Sequence, residues 1–327
     1  MKLEYDVEAD WELLTTCNFR CAYCFVTQPA LAAKLTTYGT NTQWVEGFAA
    51  TGKRWLLHIS GGEPSIYPAF VDLCQELTRV HYLSINSNLS HRCIETFAER
   101  INPERVHFIN AAAHYEERPN RASLDAFITR VQKLRMRRFC VLVSSVMTPH
   151  LVSHFPEISK YFEDHGVSLI PKVIRGWFQG KIYPRAYSPE EKSLIREYLE
   201  KARQNYASVS SAMGEAPTIN MLADHRLLDS PTIYRGKLCG SGHNFVRIEP
   251  NGAVVRCGSG IQLGNILLKN VAFLKGPKPC DSFYCPYFCE KYTSPRLIPA
   301  QTTKREVSDF FLSLKTWRDS QRQQPGG

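Results

Sequence analysis

Three cysteines near the start of the chain have the spacing of a metal site. Cys17, Cys21 and Cys24 lie in the stretch TTCNFRCAYCF, separated by three and then by two residues. Thiolates bind soft metals, and zinc and iron–sulfur clusters are the usual cytosolic choices. A structural zinc ion takes four protein ligands, and no His or Cys close by in the sequence is an obvious fourth. A 4Fe-4S cluster held by three thiolates instead leaves one iron open to a ligand from outside the protein.

A second motif, ISGGEP (Ile59–Pro64), ends the next apolar run. Glycines let the backbone approach a ligand closely, and backbone carbonyls together with the Glu63 carboxylate can receive an ammonium group. A Gly-Gly turn alone is common. Its place one strand after the cysteines is what makes it informative.

Short β-like runs alternate with helical runs through the first half of the chain. The predicted strands are 11–16, 54–60, 82–87, 106–113, 140–147 and 167–174, and the predicted helices are 67–79, 90–101, 123–136, 153–165 and 188–205. Strands alternating with helices predict an α/β fold with a parallel sheet and right-handed crossovers. Six such units predict a partial or full barrel.

The two motifs and this alternation together resemble the radical SAM superfamily. The resemblance implies a partial (βα)6 barrel in which three cysteines bind a 4Fe-4S cluster and the open iron binds S-adenosylmethionine. An electron from the cluster then cleaves the sulfonium, and the resulting 5'-deoxyadenosyl radical abstracts hydrogen from a substrate C–H bond. A low-potential donor such as flavodoxin or ferredoxin is the implied electron source.

The resemblance also implies which residues bind the cofactor. Tyr23 matches the aromatic position that contacts the adenine, and Gly61 to Pro64 match the glycine-rich motif. Barrel enzymes place their active sites at the C-terminal ends of the strands. Polar residues at later strand ends are therefore candidates as well: Asn86, Asn88, His114, Lys172 and Arg175. Each of these has the alternative role of starting a loop, capping a helix or contacting solvent.

Five further cysteines lie in the last third of the chain: Cys239, Cys257, Cys280, Cys285 and Cys289. The first two flank a predicted hairpin with an Asn251–Gly252 turn. This pattern resembles the SPASM and Twitch extensions of radical SAM enzymes, with fewer cysteines than a full SPASM domain. We expect one auxiliary 4Fe-4S cluster held by Cys239, Cys257 and two of the final three. The leftover thiol is either inert or a hydrogen donor to a substrate radical. A zinc ribbon would need two Cys-x2-Cys pairs, and neither is present.

The expected domains follow from these patterns. They are a radical SAM barrel over 1–205, a linker over 206–231, a SPASM/Twitch-like domain over 232–300, and a C-terminal helix and tail over 301–327. Cys74, Cys93 and Cys140 fall beside apolar residues and are expected to be core positions.

Composition narrows the class of protein. No run of eighteen apolar residues occurs and the first ten residues are charged, so we expect a cytoplasmic protein without membrane contact. Eleven cysteines in a reducing compartment favour metal ligation over disulfides. The net charge of +9 is carried partly by two basic stretches, 133–139 and 316–324. We interpret these as a helix end and a terminus and expect no nucleic-acid partner, since no nucleic-acid-binding module accompanies them.

Two substrate classes compete. Twitch-type relatives include enzymes that oxidise or epimerise aminocyclitols and sugars, whereas many SPASM enzymes modify peptides. The chain begins shortly before Cys17, so we expect no N-terminal domain for leader-peptide recognition, and a polar small molecule is preferred over a peptide. A small molecule predicts a pocket lined with carboxylates and amides, and a peptide predicts an open groove. The third hypothesis is a non-catalytic metal-binding module that binds nucleic acid, which would have no use for the GGEP motif.

Overall fold

The computed structural model describes residues 3–118, 120–207, 224, 227–228, 234–257, 260–280 and 285. Its first part alternates strands and helices, as the sequence predicts. The strands are β1 (Val7–Leu14), β2 (Trp55–Gly61), β3 (Tyr82–Ser87), β4 (Val106–Ala112), β5 (Val141–Val146) and β6 (Leu169–Lys172). The helices are α1 (Gln28–Ala32), α2 (Asn41–Ala50), α3 (Phe70–Leu77), α4 (Cys93–Arg100), α5 (Arg121–Met136), α6 (Pro149–Asp164) and α7 (Pro189–Asn205). Sequence patterns indicated all of these except α1 and α2.

Strands β1 to β6 lie side by side in chain order and run parallel. This is the predicted α/β fold, the parallel core of a partial (βα)6 barrel. Parallel strands need a crossover connection, and the helices between them supply it. The carboxyl ends of all six strands, and the loops that follow them, therefore meet at one edge of the sheet.

The remaining strands are short. They are β7 (Gly176–Phe178), β8 (Lys181–Tyr183), β9 (Leu238–Cys239), β10 (Phe245–Ile248), β11 (Ala253–Val255), β12 (Gln262–Asn265) and β13 (Lys278–Pro279). β7 pairs with β8 and β9 pairs with β13, each in a two-stranded antiparallel sheet.

The C-terminal strands extend the barrel sheet. β10 runs parallel to β1 on the edge opposite β2, and β11 and β12 follow in antiparallel order, so one nine-stranded sheet crosses the expected linker. The predicted hairpin turn is present, with Gly252 at φ +83° and its N–H donating to the carbonyl of Glu249 at 2.8 Å. Most of 206–231 and all of 301–327 lie outside the described residues, so the linker and the C-terminal helix stay predictions.

Helix α2 packs closely on the segment after β12. A Cβ at Gly47 would stand 2.3 Å from the carbonyl oxygen of Ile266, so only glycine permits this approach. The ammonium of Lys269 lies 2.8 Å from the carboxylate of Glu46 nearby. The C-terminal strands are thus joined to the barrel through side chains as well as through the sheet.

Strand β1 shows why the sheet has two different faces. Alternate side chains point to opposite faces of a strand. Trp11 lies on the helix-facing side, with its ring centroid 4.8 Å from Trp44 and 5.1 Å from Phe48. The intervening positions Asp10 and Glu12 point to the other face, which is the inside of the barrel.

Acid should weaken the fold through His81. This side chain is buried, its Nδ1 accepts the N–H of Trp55 at 3.3 Å, and burial, helped by Arg54, lowers its pKa to about 4. Because the folded-state pKa lies below the unfolded value, stability is complete above about pH 6.5 and falls as the pH drops towards 4. Urea unfolding at pH 7 and pH 5 should show the wild type losing about 2 kcal/mol more than a His81→Asn variant, which keeps an acceptor but does not titrate. Equal losses in the two proteins would contradict this.

Within the described residues, no helix is both long enough and apolar enough to cross a bilayer.

Candidate functional site

The three front cysteines lie together on the loop that follows β1, residues 15–27, which we call the cysteine loop. Cys21 is buried, and Cys17 and Cys24 are partly exposed. The N–H of Cys24 donates to the carbonyl of Cys21 at 3.0 Å, and the N–H of Cys17 donates to the carbonyl of Leu31 at 3.0 Å. Burial raises the pKa of Cys17 and raises that of Cys21 to about 12. Without a metal these groups are therefore neutral thiols, as expected for ligands that ionise on metal binding.

The glycine-rich motif at the end of β2 packs against the end of β1 and the start of this loop through backbone contacts. The N–H of Gly62 donates to the carbonyl of Leu14 at 2.8 Å, and the N–H of Glu63 donates to the carbonyl of Thr16 at 3.0 Å. A Cβ would stand 2.1 Å from the oxygen of Leu14 at Gly61, and 2.0 Å from the oxygen of Thr16 at Gly62. The close approach that these glycines permit is therefore to the backbone of the cysteine loop.

Glu63 is buried and its carboxylate is surrounded by donors. Its Oε1 accepts from the backbone N–H of Ser65 at 3.0 Å and from the hydroxyls of Ser65 and Ser87 at 2.5 and 2.7 Å. Its Oε2 accepts from the N–H of Asn88 at 2.7 Å. These contacts join the end of β2 to the end of β3. Glu63 therefore has a positioning role in the structure, and receipt of a ligand ammonium by this carboxylate together with backbone carbonyls of the motif stays a prediction, as does the binding role of Pro64.

The end of β3 also holds the cysteine loop. The Nδ2 of Asn88 donates to Oδ1 of Asn18 at 2.9 Å, and Nδ2 of Asn18 donates to the hydroxyl of Ser90 at 2.6 Å. Asn18 directly follows Cys17 in the chain. Asn88 thus reaches the loop through Asn18.

The end of β4 contributes His114, which adopts a left-handed backbone conformation at φ +42°. Its Nδ1 lies 2.8 Å from the hydroxyl of Tyr23 and 3.4 Å from the sulfur of Cys21, and its ring stacks on Tyr23 at 17°. Burial, with a smaller effect of Arg118, lowers the pKa of His114 to about 4. The imidazole is therefore neutral near pH 7, and Nδ1 can accept from the phenol or the thiol.

Glu117 and Arg118, which follow His114 in the chain, add further contacts around the cysteine loop. A carboxylate oxygen of Glu117 accepts the backbone N–H of Arg20 at 3.0 Å. The guanidinium of Arg118 donates to the carbonyls of Ala113 at 2.7 Å and Asn88 at 2.8 Å. The ends of β2, β3 and β4 therefore all contact the loop that carries the cysteines.

Asn86 belongs to a different group on the inside of the barrel. Its Oδ1 accepts from Nδ2 of Asn110 at 2.7 Å, and Oδ1 of Asn110 accepts from the hydroxyl of Ser144 at 2.8 Å. Asn86 and Asn110 are register partners on β3 and β4, whereas Ser144 on β5 lies two residues beyond Leu142, the register partner of Asn110. Asn86 itself is exposed.

Carboxylates line the same inner face on β1. The hydroxyl of Ser60 donates to Asp10 at 3.0 Å, and the guanidinium of Arg247 lies 2.8 Å from Glu12. Burial raises the pKa of both carboxyls, against the opposing effect of Arg247. Together with the amide row, they give the barrel a polar interior. Sequence patterns did not indicate Asp10 or Glu12, although alternation with the apolar Ala9, Trp11 and Leu13 was the available signal.

A third polar group lies at the end of β6. Asp224 is buried, and its Oδ1 lies 2.7 Å from the ammonium of Lys172 and 2.8 Å from the guanidinium of Arg175. Both cations, which could have bound an anionic substrate or contacted solvent, thus form ion pairs with a carboxylate of the chain itself.

The back cysteines converge from separate segments. Cys239 packs with Phe245, and Cys280 and Cys285 pack against this pair. β9, which ends at Cys239, pairs with β13, which directly precedes Cys280. Cys257 follows β11, and Cys289 lies outside the described residues. Within the described part of the chain, no three His, Cys, Asp or Glu side chains are already arranged to hold a metal ion.

The remaining cysteines behave as expected for core positions. Cys74 is buried in the main hydrophobic core, and Cys93 and Cys140 pack against it from partly exposed positions.

Comparisons with known proteins agree with this arrangement. The family model described as radical SAM superfamily matches residues 11–152. No curated protein matches the sequence.

Among solved structures, native anSMEcpe with bound AdoMet and Cp18Cys peptide is similar at 14% identity and a TM-score of 0.53, over 80% of this chain and 77% of that one. Streptococcus suis SuiB bound to S-adenosylmethionine is similar at 14% identity and a TM-score of 0.50, over 77% of this chain and 60% of that one. SuiB bound to precursor peptide SuiA gives 13% identity and a TM-score of 0.51, over 98% of this chain and 74% of that one. At these identities the likeness is one of fold.

The matched residues contain both motifs, which lie at the ends of the first two strands of the parallel sheet. Residues 11–152 therefore match the radical SAM superfamily, whose cofactors are a 4Fe-4S cluster and S-adenosylmethionine.

Proposed function

We propose that this radical SAM enzyme oxidises or epimerises a polar small molecule of the aminocyclitol or sugar type. Cys17, Cys21 and Cys24 hold the 4Fe-4S cluster in this proposal, and a second cluster is bound by the back cysteines. When bound, the front cluster supplies the electron that cleaves S-adenosylmethionine and so generates the radical that abstracts hydrogen from the substrate.

Each cofactor residue has a role that follows from its contacts. The donor set fits the front cluster, since three thiols lie on one short loop and no fourth is needed. Backbone carbonyls beside Gly61 and Gly62 would accept from the ligand ammonium, and Tyr23, whose hydroxyl lies 2.8 Å from Nδ1 of His114, would contact the adenine. Glu63 and Asn88 keep the cysteine loop in place.

The observation that carries the substrate class is the polar interior of the barrel. Asp10 and Glu12 provide carboxylates, and Asn86, Asn110 and Ser144 provide amides and a hydroxyl, all on the inner face of the sheet. Hydroxyl and amino groups of a sugar-like substrate would find both acceptors and donors there. An auxiliary cluster would serve as acceptor of the second electron in a net oxidation.

A peptide substrate is the second candidate. It is supported by the neighbours in the fold comparison, because anSMEcpe and SuiB were both solved with a bound peptide. The same polar interior would then contact a peptide side chain.

The proposal is tested by measuring 5'-deoxyadenosine. Protein reconstituted anaerobically with iron and sulfide should form it on addition of dithionite and S-adenosylmethionine. A Cys21→Ala variant should form none, whereas Cys140→Ala, which removes a thiol away from the cysteine loop, should retain it. Screening aminocyclitols and amino sugars beside peptides should show substrate-dependent deuterium transfer into 5'-deoxyadenosine from a labelled small molecule.

Two results would overturn the proposal. Zinc without sulfide in the purified protein would exclude the radical chemistry. Deuterium transfer from peptides alone would replace the small-molecule substrate by the peptide.

A further inference from the structure

A buried arginine lies among the segments that carry the back cysteines. Arg256 directly precedes Cys257 and is 5% exposed. Its Nε donates to the carbonyl of Ser241 at 3.1 Å, and its Nη2 donates to the carbonyls of Lys278 and Pro279 at 3.0 and 2.7 Å. One guanidinium therefore connects three stretches of chain, which contain Cys239, Cys257 and Cys280.

In the described part of the chain, the guanidinium of Arg256 is paired with backbone carbonyls and not with an acid. Within the described residues, no carboxylate forms an ion pair with it. Removing a cation from water without an anionic partner is costly, and carbonyl oxygens compensate only part of that cost. The groups that can supply negative charge beside it are the cysteine sulfurs, once a metal has displaced their protons.

Ser241 provides a second, independent sign of an absent ligand. Its backbone N–H donates to the sulfur of Cys239 at 3.4 Å, and its carbonyl is the one that Arg256 holds. Its side chain is fully buried, yet its hydroxyl has no hydrogen-bond partner in the described part of the chain. Buried hydroxyls are nearly always paired, and sulfur of a cluster bound at the adjacent Cys239 is an acceptor that would pair this one.

We infer that Arg256 and Ser241 are positioning residues of the auxiliary 4Fe-4S centre, an inference that rests on the proposed function. Arg256 holds the three cysteine segments together and places a positive charge beside the cluster. Ser241 donates its N–H to Cys239 and its hydroxyl to a cluster sulfur. Both effects favour the more negative, reduced state, so together they raise the reduction potential of this centre.

The test uses the full chain with Cys17, Cys21 and Cys24 replaced by Ala, so that only the back centre is loaded. Iron and sulfide are measured per chain after anaerobic reconstitution, and the midpoint potential is measured by a redox titration followed by electron paramagnetic resonance. Ser241→Ala should keep its iron and shift the midpoint to a more negative value. Arg256→Met should lose at least half of its iron and sulfide, and Arg256→Lys should retain more than Arg256→Met.

The matched control is Arg235→Met, which removes an exposed arginine of the same segment and should leave both quantities unchanged. An unchanged midpoint in Ser241→Ala would overturn the role of Ser241, and full iron with an unchanged midpoint in Arg256→Met would overturn that of Arg256. If Arg256→Met fails to fold, the Ser241→Ala and Arg256→Lys results still decide.

The experiments distinguish failure of this inference from failure of the proposed function, because they test different cysteines. A background protein that binds zinc, or no iron, would overturn this inference. Formation of 5'-deoxyadenosine by the wild type would be a separate result, since it depends on Cys17, Cys21 and Cys24.

Discussion

Replacing Gly62 by Ala should abolish formation of 5'-deoxyadenosine. The added Cβ would stand 2.0 Å from the carbonyl oxygen of Thr16 and 2.5 Å from that of Thr15. Both neighbours are backbone atoms, so no side-chain rotation relieves the clash, and the loop that begins with Cys17 must move outward by about 1 Å. Displacement on this scale breaks the hydrogen bonds from Gly62 to Leu14 and from Glu63 to Thr16, which align the loop with the glycine-rich motif.

The measurement is the initial rate of 5'-deoxyadenosine formation together with iron per chain after reconstitution. We expect a rate below detection and loss of the iron held at the front site. Gly276→Ala is the matched control, because its Cβ would meet nothing within 4 Å and its backbone conformation is open to any residue. A Gly62→Ala protein with normal iron and a normal rate would show that the cysteine loop does not need this close approach.

Replacing Glu63 by Gln should destabilise the fold by about 3–5 kcal/mol and lower the rate at least a hundredfold. The carboxylate accepts hydrogen bonds on both oxygens, from Ser65, Ser87 and Asn88. A glutamine amide must turn its NH2 group towards one of these sets of donors, which leaves buried donors unpaired at about 1–3 kcal/mol each. Asn88 would lose its anchor, and with it the contact to Asn18 beside Cys17 would loosen.

Urea unfolding gives the first quantity and the 5'-deoxyadenosine assay gives the second. Glu76→Gln is the control for a loss of charge, since that residue forms an exposed i,i+3 ion pair with Arg79 and should change stability by less than about 0.5 kcal/mol. If Glu63→Gln unfolded at the same urea concentration as the wild type, the hydrogen bonds that join Glu63 to the end of β3 would contribute little to the free energy of unfolding. If its stability fell but its rate did not, Glu63 would serve the fold without positioning the cysteine loop.

Local patterns were sufficient to predict much of the fold. β3 has the predicted bounds, and α7, predicted over 188–205, begins with a capping box formed by Ser188 and Glu191. The Asn251–Gly252 turn was predictable for the same reason, because a turn of this kind depends on the conformational freedom of a single residue. In each case the determining interaction lies within a few residues along the chain.

The parts that sequence patterns missed depend on contacts between distant segments. The predicted β1 begins at Trp11, whereas the observed strand begins at Val7 and includes Asp10, whose side chain faces the barrel interior. Helix α2 has a capping box at Thr40 and Gln43, but Gly47 weakens its helical pattern, and its reason is the close approach of Ile266. The contacts of Glu63 with Ser87 and Asn88 could not be predicted from its motif either, because these donors lie at the end of the next strand.

The pairing of β10 with β1 has a consequence for how the protein is made. Arg247 contacts Glu12 across 235 residues of sequence. On the ribosome, the hydrogen-bonding edge of β1 stays open until the strand that covers it has been synthesised, and such an open edge can pair with other chains. The strand that leads into the cysteine loop is therefore among the last to be fully enclosed, so the nascent chain exposes it throughout most of translation.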